Sequence, residues 1–145
     1  MLDRAWVAVG VSGGDDHRVL AVAIVAALVA ALVHVYIFVL ETLRWEHPST
    51  RRVFGTTPEE AAATRQLAAN QGVYNLLLAI VTAVGVTLVS GTSDAGAALM
   101  LAGTGSMLVA ALYLISTDRT KTRAATAQGA APLVAVIATV VWLAS

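Results

Sequence analysis

The sequence predicts an all-α fold, an integral membrane four-helix bundle. Three observations predict it. Of the 145 residues, 58% are apolar and only 12% charged, about half the charge of an ordinary soluble domain. Mean hydropathy is +0.78, too high for a chain this short to cover its own core with polar surface. Four apolar segments, at about residues 19–43, 72–90, 95–116 and 125–144, are joined by short polar connections. Each is long enough, or nearly so, to cross a hydrocarbon layer of ~30 Å.

Residues 1–18, "MLDRAWVAVGVSGGDDHR", read as an N-terminal arm outside the membrane, loose or interfacial. Its apolar piece is too short and too poorly flanked for a signal peptide. Residues 19–145 form the four-helix domain. In the first helix Ala23, Ala27, Ala30, His34, Phe38, Glu41 and Trp45 recur at steps of three and four, which places them on one stripe. The second helix starts before the membrane. "TTPEEAAATRQ" offers Thr57 as N-cap, Pro58 at the first helical position and Glu60 three residues after the cap, the pattern of a capping box. A cytosolic extension from residue 57 therefore leads into lipid near Arg65. The third helix repeats Ala98, Ala102, Ser106 and Ala110 every four residues, a small-residue seam suited to close helix packing. Its "GTGS" at residues 103–106 lies mid-span without a strand or lysine, so it reads as packing and not as a phosphate loop.

Positive charge sets orientation. Arg44, Arg51, Arg52 and Arg65 surround the first connection, and Arg119, Lys121 and Arg123 the third. Only Arg4 and Arg18 share the other side, with the second connection and the C-terminus. The first and third connections are thus expected in the cytoplasm and both termini outside. Trp45 and Trp142 then mark opposite interfaces, as belt tryptophans do.

The stretch "LAANQGVYNLLLAIV", residues 67–81, puts Asn70, Gln71, Tyr74 and Asn75 where the second helix enters lipid. At a rise of ~1.5 Å per residue, Glu41, Asn70, Tyr113 and Gln128 all fall ~6–8 Å inside the cytoplasmic interface, with His34 and Asn75 one level deeper. Ionisable groups at such depth are expensive and turn inward. Four helices would then aim polar groups at one pocket in the cytoplasmic half. The plainer alternative is that amides and tyrosines bind the helices together, with Glu41 snorkelling or pairing with Arg44.

At these residues the chain resembles a known family. "HVYIFVLETLRW", "HPSTRRVFG" and "LAANQGVYNLLLA" are similar to the pattern of the bacterial membrane family catalogued as domain of unknown function 1304. The matching positions are His34, Tyr36, Ile37, Glu41, Trp45, Pro48, Phe54, Gly55, Asn70, Gln71, Gly72, Tyr74 and Asn75, then Gln128 and Gly129. The resemblance implies a multi-pass protein of the bacterial inner membrane and no assigned activity. A looser likeness links the chain to the membrane-associated eicosanoid and glutathione metabolism proteins, through four helices, a basic first loop, Arg65 and Asn70. The chain departs from their motif, which carries a glutamate after the asparagine where Val73 and Tyr74 stand here.

Composition excludes several functions. With no cysteine there is no disulfide, thiolate catalysis or cysteine metal site, and zero net charge gives no reason to expect nucleic acid. His17 and His47 have no partner ligands at metal spacing, so no metal and no cofactor is expected. The pocket suits a cofactor-free enzyme of isomerase, cyclase or hydratase type acting on a lipophilic small molecule from the inner leaflet. His34 and Glu41 would be its acid and base. Asn70, Gln71, Tyr74, Asn75, Tyr113 and Gln128 would bind the substrate. The same residues would serve a small-molecule or ion binding or transport protein. One carboxylate and no inverted repeat make a thin transporter, for which a homo-oligomer would supply the second half. A structural subunit, held together by the polar cluster, is the third reading.

Overall fold

The first helix starts ahead of its apolar stretch. In the computed structural model, which describes residues 13–91 and 93–145, α1 runs Gly13–Phe38. Asp15 and Asp16 lie in its first turn, where the positive end of the helix dipole favours acidic side chains. The helical boundary therefore falls within the expected arm; the rest of that arm, residues 1–12, lies outside the described residues. From Phe38 the chain continues into a π-helical turn, Val39–Leu43, and then unwinds.

A short helix, α2 (Pro48–Phe54), follows. Gly55 ends it at φ 69°, a left-handed conformation that glycine adopts without steric cost. Trp45 packs edge-on against Phe54, with ring centroids 5.0 Å apart. Its Nε1 donates to the Ala61 carbonyl at 3.0 Å and to Thr64 Oγ1 at 3.2 Å. Lys121 Nζ donates to the Phe54 carbonyl at 2.8 Å. These contacts fasten the first connection to the third across the same end of the bundle.

Helix α3 runs Pro58–Leu88 and opens with the capping box on Thr57 and Glu60. Helix α4 runs Ser93–Thr117, and α5 runs Thr122–Ala144 after a 3-10 turn at Arg119–Lys121. Asp118 caps that turn. Hydrogen bonds from the Thr120 side chain, then its backbone N–H, hold the Asp118 carboxyl below its usual range. Helices α1, α3, α4 and α5 are each long and apolar enough to cross a membrane. They form an up-down-up-down ring in which α1 meets α3 and α5, and α4 meets α3 and α5. The described residues contain no strand.

The side-chain distribution is that of a bundle in lipid. The interior is filled by small groups, with Ala23, Ala27, Ala30 and Ala135 fully buried. Large apolar side chains such as Leu32, Val109 and Ile137 stay exposed on the outside. In water this would forfeit the hydrophobic effect. In a bilayer it lets backbones approach closely while the outer chains meet acyl tails. Gly103 shows the closeness: a Cβ there would strike Thr82 Oγ1 and come within 3.2 Å of the Leu78 carbonyl.

Helix α4 departs from expectation. Ala98, Ala102, Ser106 and Ala110 face outward. The packing face is instead Ala97, Met100, Gly103, Thr104, Met107 and Ala111. Both rows repeat at helical spacing, and the inner one combines a contact glycine with two methionines that fill irregular space.

Candidate functional site

The π-turn is what positions Glu41. A π-turn widens the helix by one residue, and such turns occur frequently at functional sites. Here it brings Glu41 and Thr42 against α3 at Gly72. A Cβ on Gly72 would lie 3.1 Å from Glu41 Cβ and 3.2 Å from the Thr42 backbone nitrogen, and would overlap Thr42 Oγ1. Thr42 Oγ1 donates to the Ala69 carbonyl at 3.2 Å, which clamps the turn to α3.

Glu41 and Asn75 meet there. Asn75 Nδ2 donates to Glu41 Oε2 at 2.8 Å and to the Gln71 carbonyl at 3.2 Å. Both side chains are half-buried. The bond joins α1 to α3 within the spans, where an unpaired carboxylate would be costly. His34 lies further along the α1 stripe and is only 2% exposed. Its Nδ1 bonds the Ala30 carbonyl at 2.9 Å. A carbonyl only accepts, so Nδ1 carries the proton and a neutral ring keeps its lone pair on Nε2.

The side chains of the other expected site residues make no hydrogen bond to this pair among the described residues. Asn70 and Gln71 are exposed, Tyr74 is 58% exposed and Tyr113 70% exposed. Gln128 is half-buried on α5. The reason is azimuth. Matched depth says nothing about which way a side chain points around its helix. Gly72 and Ala111 occupy the packing faces of α3 and α4, and Asn70 and Tyr113, two positions away from each, turn outward. Tyr113 borders a shallow groove on the outer face of α4 with Ala102, Gly105 and Ser106. Beyond the π-turn, a hollow of about 390 Å³ is lined by Thr42, Trp45, Glu46 and Arg65. Glu46 and Arg65 pair across it at 3.5 Å.

A family profile described as a protein of unknown function (DUF1304) matches residues 19–140. The chain belongs to the DUF1304 family. No curated protein and no solved structure matches it, so the looser likeness to eicosanoid and glutathione metabolism proteins gains no support. Several DUF1304-like positions prove to be architectural: Pro48 starts α2, Gly55 ends it, and Trp45 and Phe54 pack together. Gly72 admits the π-turn. Among the family positions inside the spans, His34, Glu41 and Asn75 are those with a buried or half-buried side chain that is hydrogen-bonded. Thr42 was missed from the sequence, because a single threonine near a helix end carries no periodic signal. The π-turn was missed as well, since "VLETL" holds no glycine or proline to announce it.

Proposed function

We propose that this small membrane protein binds a lipophilic small molecule at the Glu41–Asn75 pair and acts on it by proton transfer. The reaction class is isomerisation, cyclisation or hydration without a cofactor. Glu41 exchanges the proton, Asn75 orients it, and His34 supports the α1 stripe behind it. In this reading the protein sits in the bacterial inner membrane with both termini outside, so the Trp45 end of the bundle is cytoplasmic.

The observation that carries the reading is the Glu41 carboxylate itself. It sits on a π-turn, holds one inter-helix hydrogen bond, and stays half-exposed at the α1–α3 seam. Helix glue alone would not need an ionisable group; an asparagine or glutamine joins helices at lower desolvation cost. The half-exposure suits a molecule arriving sideways from the bilayer. Native mass spectrometry of the protein purified in mild detergent tests this. Wild type should carry a lipophilic adduct that Glu41→Gln loses. An empty protein tightly held to a second polypeptide would favour a structural subunit instead.

A further inference from the structure

We infer that the molecule taken at the Glu41–Asn75 pair presents a hydrogen-bond-donating head, an amine or a hydroxyl, and is not a carboxylate or phosphate amphiphile. The inference rests on the reading of this pair as a ligand site and goes on to the polarity of the ligand. It follows from counting the donors and acceptors that the pair leaves unused.

An asparagine amide has two N–H donors and one carbonyl acceptor. Asn75 spends its donors on Glu41 Oε2 and the Gln71 carbonyl. What remains is Oδ1, an acceptor. An ionised carboxylate only accepts. With Oε2 engaged by Asn75, Glu41 in its ionised form offers Oε1 as an acceptor. Among the described residues neither Oε1 nor Oδ1 has a hydrogen-bond partner, and neither is sealed from the surroundings. The unpartnered atoms of the pair, with Glu41 ionised, are therefore two acceptors.

The neighbouring cations do not change this. Arg65 pairs with Glu46 at 3.5 Å. Arg44 is directed to the His47 ring, with contacts of 3.4 and 3.5 Å. Both lie beyond the π-turn. Lys121 is committed to the Phe54 carbonyl. His34 adds no donor, because its N–H is held by Ala30. An anionic head would meet the acceptor oxygens of the pair, and beside an ionised Glu41 it would be strongly repelled in a low-dielectric seam. An ammonium, with three N–H donors, would satisfy both oxygens, and a hydroxyl one of them. The half-exposed seam lets the apolar tail remain among the acyl chains while the head reaches Glu41.

The test uses three molecules with one tail: decylamine, decanol and decanoate. Each is titrated at neutral pH against the full-length protein in phosphatidylcholine nanodiscs, whose lipid has no net charge. Melting temperature and bound adduct are read together. Decylamine and decanol should bind, with decanoate at least about tenfold weaker, a difference of ~1.4 kcal/mol. Glu41→Gln keeps the shape but replaces Oε1 or Oε2 with a donor, and should weaken decylamine about tenfold. Asn75→Ala should weaken decylamine and decanol alike. Melting of the ligand-free variants checks that each is folded. Decanoate binding as tightly as decylamine, with both lost in Glu41→Gln, overturns the donor preference while leaving the site intact. Binding indifferent to Glu41→Gln in all three arms overturns the site itself and the inference with it.

Discussion

Thr42 Oγ1 fills the space beside Gly72 that a side chain there would need: a Cβ on Gly72 would overlap it. The contact also lies 3.1 Å from Glu41 Cβ, so a change at residue 72 is felt at the carboxylate. Gly72→Ala should destabilise the bundle by about 1–3 kcal/mol, the range for overpacking. Because the Thr42 hydroxyl is the nearest obstacle, Thr42→Ala should recover part of that loss. Unfolding of the two single variants and the double variant in detergent checks it. Additive losses would mean that the two residues do not share the space described.

Gly103 and Gly105 make a matched pair on α4. A Cβ on Gly103 strikes Thr82 and approaches the Leu78 carbonyl, whereas one on Gly105 meets nothing within 4 Å. Gly103→Ala should lower the melting temperature. Gly105→Ala should raise it slightly, since alanine is favoured over glycine inside a helix by roughly 0.8–1 kcal/mol in water. Equal effects at the two sites would contradict the α3–α4 packing.

Trp45→Phe keeps an aromatic ring against Phe54 but removes the indole N–H that reaches Ala61 and Thr64. A net loss of about 0.5–1.5 kcal/mol is expected. Proteolysis should show where the loss falls. The 44–57 connection should become easier to cut while the spans stay protected.

His34→Ala and Glu41→Gln should separate packing from chemistry. His34 is 2% exposed, so its truncation leaves a hole inside the bundle and should cost about 2 kcal/mol or more. Glu41→Gln keeps its size and most of its hydrogen bonding. Its melting temperature should stay within a few degrees of wild type while ligand-dependent stabilisation is sharply reduced. A Glu41→Gln protein that melts as early as His34→Ala would assign Glu41 to packing.

Orientation is open to direct measurement because the chain has no cysteine. Ser49 and Ser145 are both exposed and lie at opposite ends of the bundle. With Ser49→Cys and Ser145→Cys in intact cells, an impermeant maleimide should label residue 145 only. The distribution of arginine and lysine motivates this. Labelling at residue 49 alone would reverse the orientation and open the Glu41 site toward the exterior.

The sequence by itself determined the class of this protein. Four long apolar segments, few charges and the Thr57–Glu60 capping box are local properties of composition and spacing. A bilayer requires backbone polar groups to be satisfied within each segment, so the segments had to be helices. The inward stripe Ala23, Ala27, Ala30 and His34 was equally legible, since alanines at helical spacing ending in an ionisable group have one low-energy side to face. Tertiary structure decided which polar groups meet. Depth can be counted along a chain, but azimuth depends on which face each helix spends on its neighbours. Gly72 on α3 and Gly103 on α4 claimed those faces by allowing close approach, which turned Asn70, Tyr113 and the Ala98–Ala110 row outward. The π-turn at Val39–Leu43 is also tertiary in origin. An α-helix is locally the better structure there, and the clamp of Thr42 on Ala69 together with the bond from Asn75 to Glu41 holds the wider turn in place.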